Sequence, residues 1–205
     1  MEHRSLNPAN ADQTALEPFR PDLVPLAAMA ELHRPVTLCY AEAARFEDLK
    51  EFLRARIPGS KVVVGAGIDG EALAMAFPEV RFLGRLEGTA LAQAYCAADV
   101  FVPAARDGRA QQRMIEALAC GVPLAATANP AALALIGPHG RGTDSELPMT
   151  VGAIDADLSV AVQKALRLDR LGAAVFGARM AARYLECDAA PSITEPDLLL
   201  ALDAA

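Results

Sequence analysis

The chain has 205 residues, of which 53% are hydrophobic and 22% charged, so it can bury a sizeable core and is too apolar to be disordered. Its net charge of −7 argues against nucleic acid as a partner, because contacts to phosphates need a basic surface. No apolar run reaches the roughly 18 residues of a membrane span, and the first residues lack the apolar segment of a signal peptide. We therefore expect a globular cytoplasmic protein with no membrane span.

The first 34 residues are interpreted as an N-terminal arm or linker remnant, because they are rich in Pro, Asn and Asp and show no regular period up to about residue 25. From residue 35 to 188, short apolar runs alternate with amphipathic ones. The predicted strands are 36–40, 61–64, 81–83, 99–102 and 122–126. The predicted helices are 46–57, 69–77, 88–97, 111–120, 155–168 and 170–185, with a short helix at 26–32 before them and a C-terminal tail at 189–205.

Strands that alternate with helices at this spacing predict βαβ units. The fold class is therefore α/β, a single domain at 35–188 with a Rossmann-like, doubly wound parallel sheet. Ligands of such sheets bind beyond the carboxyl ends of the strands. A binding site is expected in the loops that follow Tyr40, Val64, Leu83 and Val102.

The four cysteines are scattered along the chain, with no CxxC pair and no histidine clustered near them. This pattern favours free thiols in a reducing compartment over a disulfide framework or a metal site. Cys39, Cys96 and Cys120 lie in apolar runs and are predicted to be small core residues. The sequence gives no reason to expect a metal or another cofactor.

A GxG pattern follows the second predicted strand, at Gly65 and Gly67, with a further glycine at Gly70. This spacing is found in dinucleotide-binding folds, where glycines let the backbone approach a pyrophosphate. No acid suited to bind a ribose follows at the right place on the next strand, which argues against such a site. An unrelated Rossmann-like nucleotide binder therefore stays open as a weaker alternative.

The segment 81–126 combines a short strand ending in Gly84, a helix, the run Ala-Asp-Val-Phe-Val, an arginine-bearing loop and the sequence IEALACGVP. This order resembles the C-terminal, donor-binding domain of GT-B retaining glycosyltransferases of the group 1 (family 4) type. The runs PGSKVVVG at 58–65 and GAIDADL at 152–158 extend the resemblance. It implies a nucleoside diphosphate sugar as ligand and hexosyl transfer as the family activity. It also implies an acceptor-binding half, expected on a partner chain, and a homodimer is the alternative assembly.

The resemblance assigns roles to individual residues. Glu116 matches the second acid of the family's E-x7-E motif, which binds the ribose hydroxyls; the alternative is an ordinary glutamate on a helix surface. Arg113, near the start of the same helix, either holds an anion with its neighbours or is simply solvated. The predicted substrate-binding residues, none of them catalytic, are Gly65 and Gly67 beside the donor, Gly84 and Arg85 over the nucleobase, Arg106 and Arg109 as cations, and Glu116 on the ribose.

Several positions depart from the family pattern. Gly108 stands where the first acid of E-x7-E belongs, with Asp107 one residue away. Glu42 and Glu47 stand where the family has the Arg and Lys that neutralise the diphosphate. We therefore expect the nucleotide-sugar-binding half of a hexosyltransferase that is catalytically impaired as an isolated chain. The alternative is a non-catalytic pseudo-glycosyltransferase that acts as a protein-binding subunit or a nucleotide-sugar sensor.

Overall fold

The computed structural model describes residues 18–41, 46–65, 70–104, 108–143, 146 and 148–188, and the predicted C-terminal tail lies outside them. The element bounds follow in chain order. The six strands are β1 Val36–Tyr40, β2 Ser60–Val64, β3 Val80–Phe82, β4 Val100–Pro103, β5 Leu124–Ala126 and β6 Gly152–Ile154. The helices are α1 Phe46–Arg54, α2 Gly70–Ala76, α3 Gly88–Ala97, α4 Gly108–Ala119, α5 Pro130–Ile136, α6 Leu158–Ala165 and α7 Arg170–Asp188.

The six strands form one parallel sheet in the order β3-β2-β1-β4-β5-β6, which confirms the predicted doubly wound α/β fold. The order reverses between β1 and β4, where Tyr40 is paired with Pro103 at the carboxyl ends. Such a reversal opens a crevice at the strand ends, because the two connecting loops leave in opposite directions. The candidate site therefore belongs at the ends of β1 and β4.

Alternate residues of each strand face two separate apolar layers, as the two-residue period of a strand requires. Leu38 and Val62 face the layer of α3, α4, α5 and α7, which holds most of the large buried side chains. Cys39 and Val63 face the thinner layer of α1, α2 and α6. Since α4 packs into the thicker layer, the helix that carries Glu116 is held on both sides by core contacts.

The predicted bounds differ from the structure by one to three residues in most elements, and two elements were not predicted. β6 has only three residues, Gly-Ala-Ile, which is too short to show a period. α5 begins at Pro130 after Asn129, whose Oδ1 accepts a hydrogen bond of 2.9 Å from the Ala132 amide. An Asn-Pro pair is an N-terminal helix signal, so the sequence contained evidence for α5 that the prediction did not use.

Residues before β1 also pack on the domain. Phe19 and Met29 are buried, and the Leu26 amide donates a hydrogen bond of 3.1 Å to the Gln93 carbonyl on α3. The predicted helix at 26–32 is a three-residue 3-10 turn, Ala27–Met29. No helix among the described residues combines the length and the apolar character needed to cross a membrane.

The buried hydroxyl group of Thr37 allows a test of the core. Thr37 on β1 is fully buried, and its Oγ1 has no hydrogen-bond partner among the residues the structure describes. A buried hydroxyl without a partner costs its desolvation. We expect Thr37→Val, which keeps the shape, to raise the free energy of unfolding by about 1 kcal/mol. Urea denaturation followed by circular dichroism measures this, with Thr37→Ala as the cavity-forming control. A Val variant less stable than the original chain contradicts the account.

Candidate functional site

The loops after β2 and β3 are joined through their glycines. The Gly65 amide donates a hydrogen bond of 2.6 Å to the Gly84 carbonyl, and both residues have positive φ, +85° and +68°. A Cβ on Gly65 would lie 3.0 Å from the Ala41 carbonyl oxygen, just beyond β1. The backbone therefore passes closely at the carboxyl ends of β1, β2 and β3, and only glycine adopts this conformation without strain.

Glu116 on α4 is 1% exposed, so the interpretation as a surface glutamate is wrong. Arg113 Nη1 lies 2.9 Å from both carboxylate oxygens, and Gln112 Nε2 lies 3.2 Å from Oε1. The Tyr95 hydroxyl of α3 donates to Oε2 at 3.4 Å. A carboxylate offers about four acceptor positions. These four hydrogen bonds within the chain therefore occupy the acceptor positions of the carboxylate that the family resemblance assigns to the ribose.

Arg113 links this acid to the end of β1. Its guanidinium lies 4.4 Å from the centroid of the Tyr40 ring, a cation–π contact. The side chain is only 22% exposed, so the interpretation of Arg113 as simply solvated is wrong. We call Tyr40, Tyr95, Gln112, Arg113 and Glu116 the Glu116 cluster. It joins three elements, β1, α3 and α4, at the point where the sheet order reverses.

The protonation of Glu116 is set by two opposing effects. Burial raises the pKa of Glu116, because removal from water disfavours the charged form, and Arg113 acts in the opposite direction. Burial also raises the pKa of Tyr95, and the neighbouring Glu116 adds to that rise. The Tyr95 hydroxyl is therefore a neutral donor, and Arg113 is the group that sustains the buried carboxylate.

The position that the resemblance assigns to a lysine holds an anion at the edge of the sheet. Glu47 is exposed and accepts a contact of 3.3 Å from Lys50 Nζ. Together with Glu51 it lines a cleft of about 400 Å³ against Pro103 and Ala104, the end of β4. The structure therefore places the Glu47 carboxylate, paired with Lys50, beside the end of β4.

The other predicted site residues are distributed as follows. Arg85 lies on the surface and forms an ion pair of 2.5 Å with Glu87. Gly67, Arg106, Glu42 and Asp107 fall outside the described residues, as does the side chain of Arg109. Gly108 is already the first residue of α4, three residues earlier than predicted. Within the described part of the chain, no group of three or more His, Cys, Asp or Glu side chains is placed to hold a metal.

Sequence reasoning missed both tyrosines of the Glu116 cluster and the partner of Arg113. The i, i+3 spacing of Arg113 and Glu116 on one helix is a signal for an ion pair and could have identified that contact. Tyr40 and Tyr95 come from distant segments. Their approach follows from the packing of β1 and α3 against α4, which no local pattern encodes.

Comparison with known proteins gives a family match over more than half of the chain. The model described as "Glycosyl transferases group 1" matches residues 45–166. A GDP-mannose-dependent alpha-mannosyltransferase of Mycobacterium tuberculosis is 39% identical over 101 residues, which are 49% of this chain and 26% of that protein. Its counterpart in Mycolicibacterium smegmatis is 42% identical over 74 residues, 36% of this chain and 20% of that protein. The matched segments therefore span only 26% and 20% of these relatives' lengths.

Solved structures share the fold at lower identity. The sucrose-phosphate synthase of Thermosynechococcus elongatus superposes with a TM-score of 0.55 at 23% identity, over 92% of this chain and 51% of that one. The catalytic domain of starch synthase IV from Arabidopsis thaliana, bound to ADP and acarbose, gives 0.50 at 14%, over 88% and 41%. At such identities the comparison shows the fold alone, and that fold is the C-terminal type of a GT-B glycosyltransferase.

Proposed function

The chain belongs to the group 1 glycosyl transferases, and from this premise we propose that it is the nucleotide-sugar-binding half of such a hexosyltransferase, with weak nucleotide affinity and no transferase activity as an isolated chain. The observation that carries the proposal is the state of Glu116. Its carboxylate is 1% exposed and accepts four hydrogen bonds within the chain. A ribose diol would have to displace Arg113 or Gln112 to reach it.

That displacement is unfavourable. A neutral diol would replace a charged guanidinium on a buried carboxylate, and hydrogen bonds between ionised groups are roughly twice as strong as those to neutral donors. The Arg113 guanidinium would also leave the Tyr40 ring, a contact of about 0.5 to 2 kcal/mol. Both losses count against nucleotide binding.

Charge at the edge of the sheet supports the same conclusion. Glu47 lies beside the end of β4, where the resemblance places a lysine that would neutralise the diphosphate. A carboxylate a few ångströms from a diphosphate repels both the ground state and the departing nucleoside diphosphate. Electrostatic stabilisation of the leaving group is usually the largest catalytic contribution. Replacing the stabilising cation by an anion therefore lowers catalysis strongly, while the fold is unaffected.

The relatives narrow the choice of nucleotide and imply a partner. Both mycobacterial proteins are described as GDP-mannose-dependent. We therefore propose GDP as the nucleoside diphosphate that corresponds to this site. The matched segments span only 20% and 26% of those proteins' lengths. An acceptor-binding half on a partner chain, as the resemblance implies, is part of the proposal.

A second role, that of a non-catalytic protein-binding subunit, is favoured by the surface of α7. Leu171 and Val175 are four residues apart and are 70% and 44% exposed. Residues at this spacing share one face of a helix. A chain that has lost nucleotide binding and presents apolar side chains on one helix face suits a role in protein contacts.

Calorimetric titration with GDP, UDP and ADP, each with and without Mg²⁺, tests the proposed function. We expect no saturable heat, which corresponds to a Kd above about 1 mM or a binding free energy weaker than about 4 kcal/mol. The Mycobacterium tuberculosis relative, titrated with GDP under the same conditions, serves as the positive control. Glu42→Arg combined with Glu47→Lys is expected to leave the result unchanged, because Glu116 stays filled.

Saturable nucleotide binding in this titration would contradict the proposal. A Kd below about 100 μM for any of the three nucleotides, lost in Glu116→Ala, would mean that Glu116 reaches the ribose and that the donor site is intact. Micromolar binding by the double variant alone would locate the defect in the loop after β1 and not in the Glu116 cluster.

A further inference from the structure

A cleft of about 450 Å³ lies at the amino ends of the parallel strands. Three of its lining residues, Pro35, Asp99 and Pro123, directly precede β1, β4 and β5. Most of the other lining residues belong to the junction of α6 and α7. Because all six strands are parallel, their amino ends lie at the edge of the sheet opposite to their carboxyl ends. The cleft is therefore separate from the Glu116 cluster.

Asp99 brings two arginines together in this cleft. Its Oδ2 accepts a hydrogen bond of 2.7 Å from the amide of Val36, the first residue of β1. Its Oδ1 lies 2.5 Å from Arg34 Nη1 and 3.9 Å from Arg170 Nη1. The backbone contact fixes the carboxylate against the sheet, and both guanidinium groups lie close to one of its oxygens. Two cations from distant parts of the chain are therefore held in defined positions beside each other.

Both arginines keep hydrogen-bond donors that their contacts with the chain do not use. Arg34 Nη2 donates to the Ala97 carbonyl at 3.4 Å, and Arg170 Nη1 donates to the Ala98 carbonyl at 2.6 Å, so the pair also satisfies carbonyls at the end of α3. A guanidinium has five N–H donors. Within the described part of the chain, the contacts of each arginine occupy fewer than half of them. The two side chains are 60% and 43% exposed, so their remaining donors are accessible to a ligand.

The charge and polarity of the lining define the class of ligand. Two arginines against one aspartate leave an excess of one positive charge, in a chain whose net charge is −7. The other lining residues are apolar, among them Pro123, Leu166 and Leu168. Small-molecule sites of roughly 300 to 1,000 Å³ typically combine apolar walls with a few fixed polar groups. A phosphate monoester carries about −1.5 to −2 charges and would repel Asp99 more strongly than a carboxylate does.

We propose that this cleft binds a small organic molecule that carries one carboxylate group on an apolar body. The planar guanidinium groups of Arg34 and Arg170 match the geometry of a carboxylate and donate to its oxygens. The apolar body packs against Pro123 and Leu168. The proposal rests on these contacts and on the cleft, and it does not depend on the proposed function.

Titration of the ¹⁵N-labelled full chain with 3-phenylpropionate at low ionic strength, followed by amide chemical shifts, tests the proposal. Its neutral amide, 3-phenylpropionamide, and 2-phenylethyl phosphate are the matched probes. We expect saturable shifts with 3-phenylpropionate, with a Kd below about 1 mM, and binding of the other two probes that is weaker by roughly tenfold or more. The shifts should centre on the amides of Val36, Asp99 and Leu168, at the amino edge of the sheet. Added salt should weaken the binding, because the ion pairs are partly exposed.

Variants assign the binding to the two arginines. Arg34→Gln and Arg170→Gln should each weaken binding of 3-phenylpropionate by roughly tenfold. Arg81→Gln is the matched control, because Arg81 is exposed on β3 and does not line the cleft, and it should bind as the original chain does. Circular dichroism checks that each variant is folded.

The comparison of the three probes uses the original chain, so it tests the proposal even if an arginine variant unfolds. No saturation with 3-phenylpropionate up to about 10 mM overturns the proposal. Equal affinity for the amide would show that the arginines do not contribute, and equal or tighter binding of the phosphate would contradict the assignment to a carboxylate. Shifts centred on Gly65 and Glu116 would place the ligand at the other edge of the sheet and would also overturn it.

Discussion

Arg113→Met is expected to lower the free energy of unfolding by about 3 kcal/mol at neutral pH, because it leaves the Glu116 carboxylate buried without its cation. Arg113 Nη1 supplies a hydrogen bond of 2.9 Å to each carboxylate oxygen, and the two that remain come from neutral donors. Methionine keeps most of the length and apolar contact of the side chain. The loss therefore reports the charge pair and the cation–π contact with Tyr40 rather than an empty cavity. Urea denaturation followed by circular dichroism measures it.

A double-mutant cycle separates the interaction energy between Arg113 and Glu116 from the other effects of each substitution. Glu116→Gln keeps an acceptor for Tyr95 and removes the buried charge. The combination of Arg113→Met with Glu116→Gln is therefore expected to be more stable than Arg113→Met alone, because no unpaired charge remains. Equal stability of the single Arg113 variant and the double variant would show that Glu116 does not depend on Arg113.

The pH dependence of Arg113→Met gives a second, independent readout. Burial already holds the pKa of Glu116 above its ordinary value of 4.5, and removal of Arg113 takes away the main opposing effect. A group whose folded-state pKa is raised contributes stability below its unfolded value and loses it as the pH rises through the folded value. The Arg113 variant should therefore lose stability more steeply than the original chain as the pH rises above the ordinary glutamate pKa of 4.5. The double variant should lack this additional slope.

The parallel sheet was predictable because β1, β2 and β4 are mostly apolar runs, as strands covered on both faces tend to be. The candidate site was only partly predictable. The sequence places Glu116 on the correct helix and at the correct edge, since IEALACGVP fixes both. Whether its carboxylate points to solvent or into the core depends on Tyr40 and Tyr95, which reach it from separate segments. Only the packed structure shows that the acid is already satisfied.

The Glu116 cluster shows how the domain stabilises a buried acid. The Glu116 carboxylate is a buried charge, and an uncompensated buried charge is costly. Arg113, one helical turn earlier, compensates that charge from within α4. Under the proposed function, stability then depends on the same contact that keeps a ribose from Glu116.

Gly177→Ala is expected to destabilise the protein by about 3 kcal/mol, because the added methyl group has no space between α7 and α4. A Cβ at Gly177 would lie 2.2 Å from the Ala119 amide nitrogen and from the Leu118 carbonyl carbon. Both are backbone atoms of the last turn of α4, so no side-chain rotation relieves the contact. The two helices must separate, and the helix that carries Glu116 loses its packing on α7. The midpoint of urea denaturation, followed by far-UV circular dichroism, measures the effect.

Gly172→Ala on the same helix is the matched control. Its Cβ would lie 3.0 Å from Met149 Cε, the flexible end of a long side chain, and 3.7 Å from Asp169 Oδ2. Since the methionine can move and alanine is the better helix former, we expect the stability to change by less than about 0.5 kcal/mol. The difference between the two variants isolates the backbone contact from the intrinsic effect of replacing glycine in a helix. If both variants unfold at the same urea concentration, α7 does not approach α4 as closely as the structure shows.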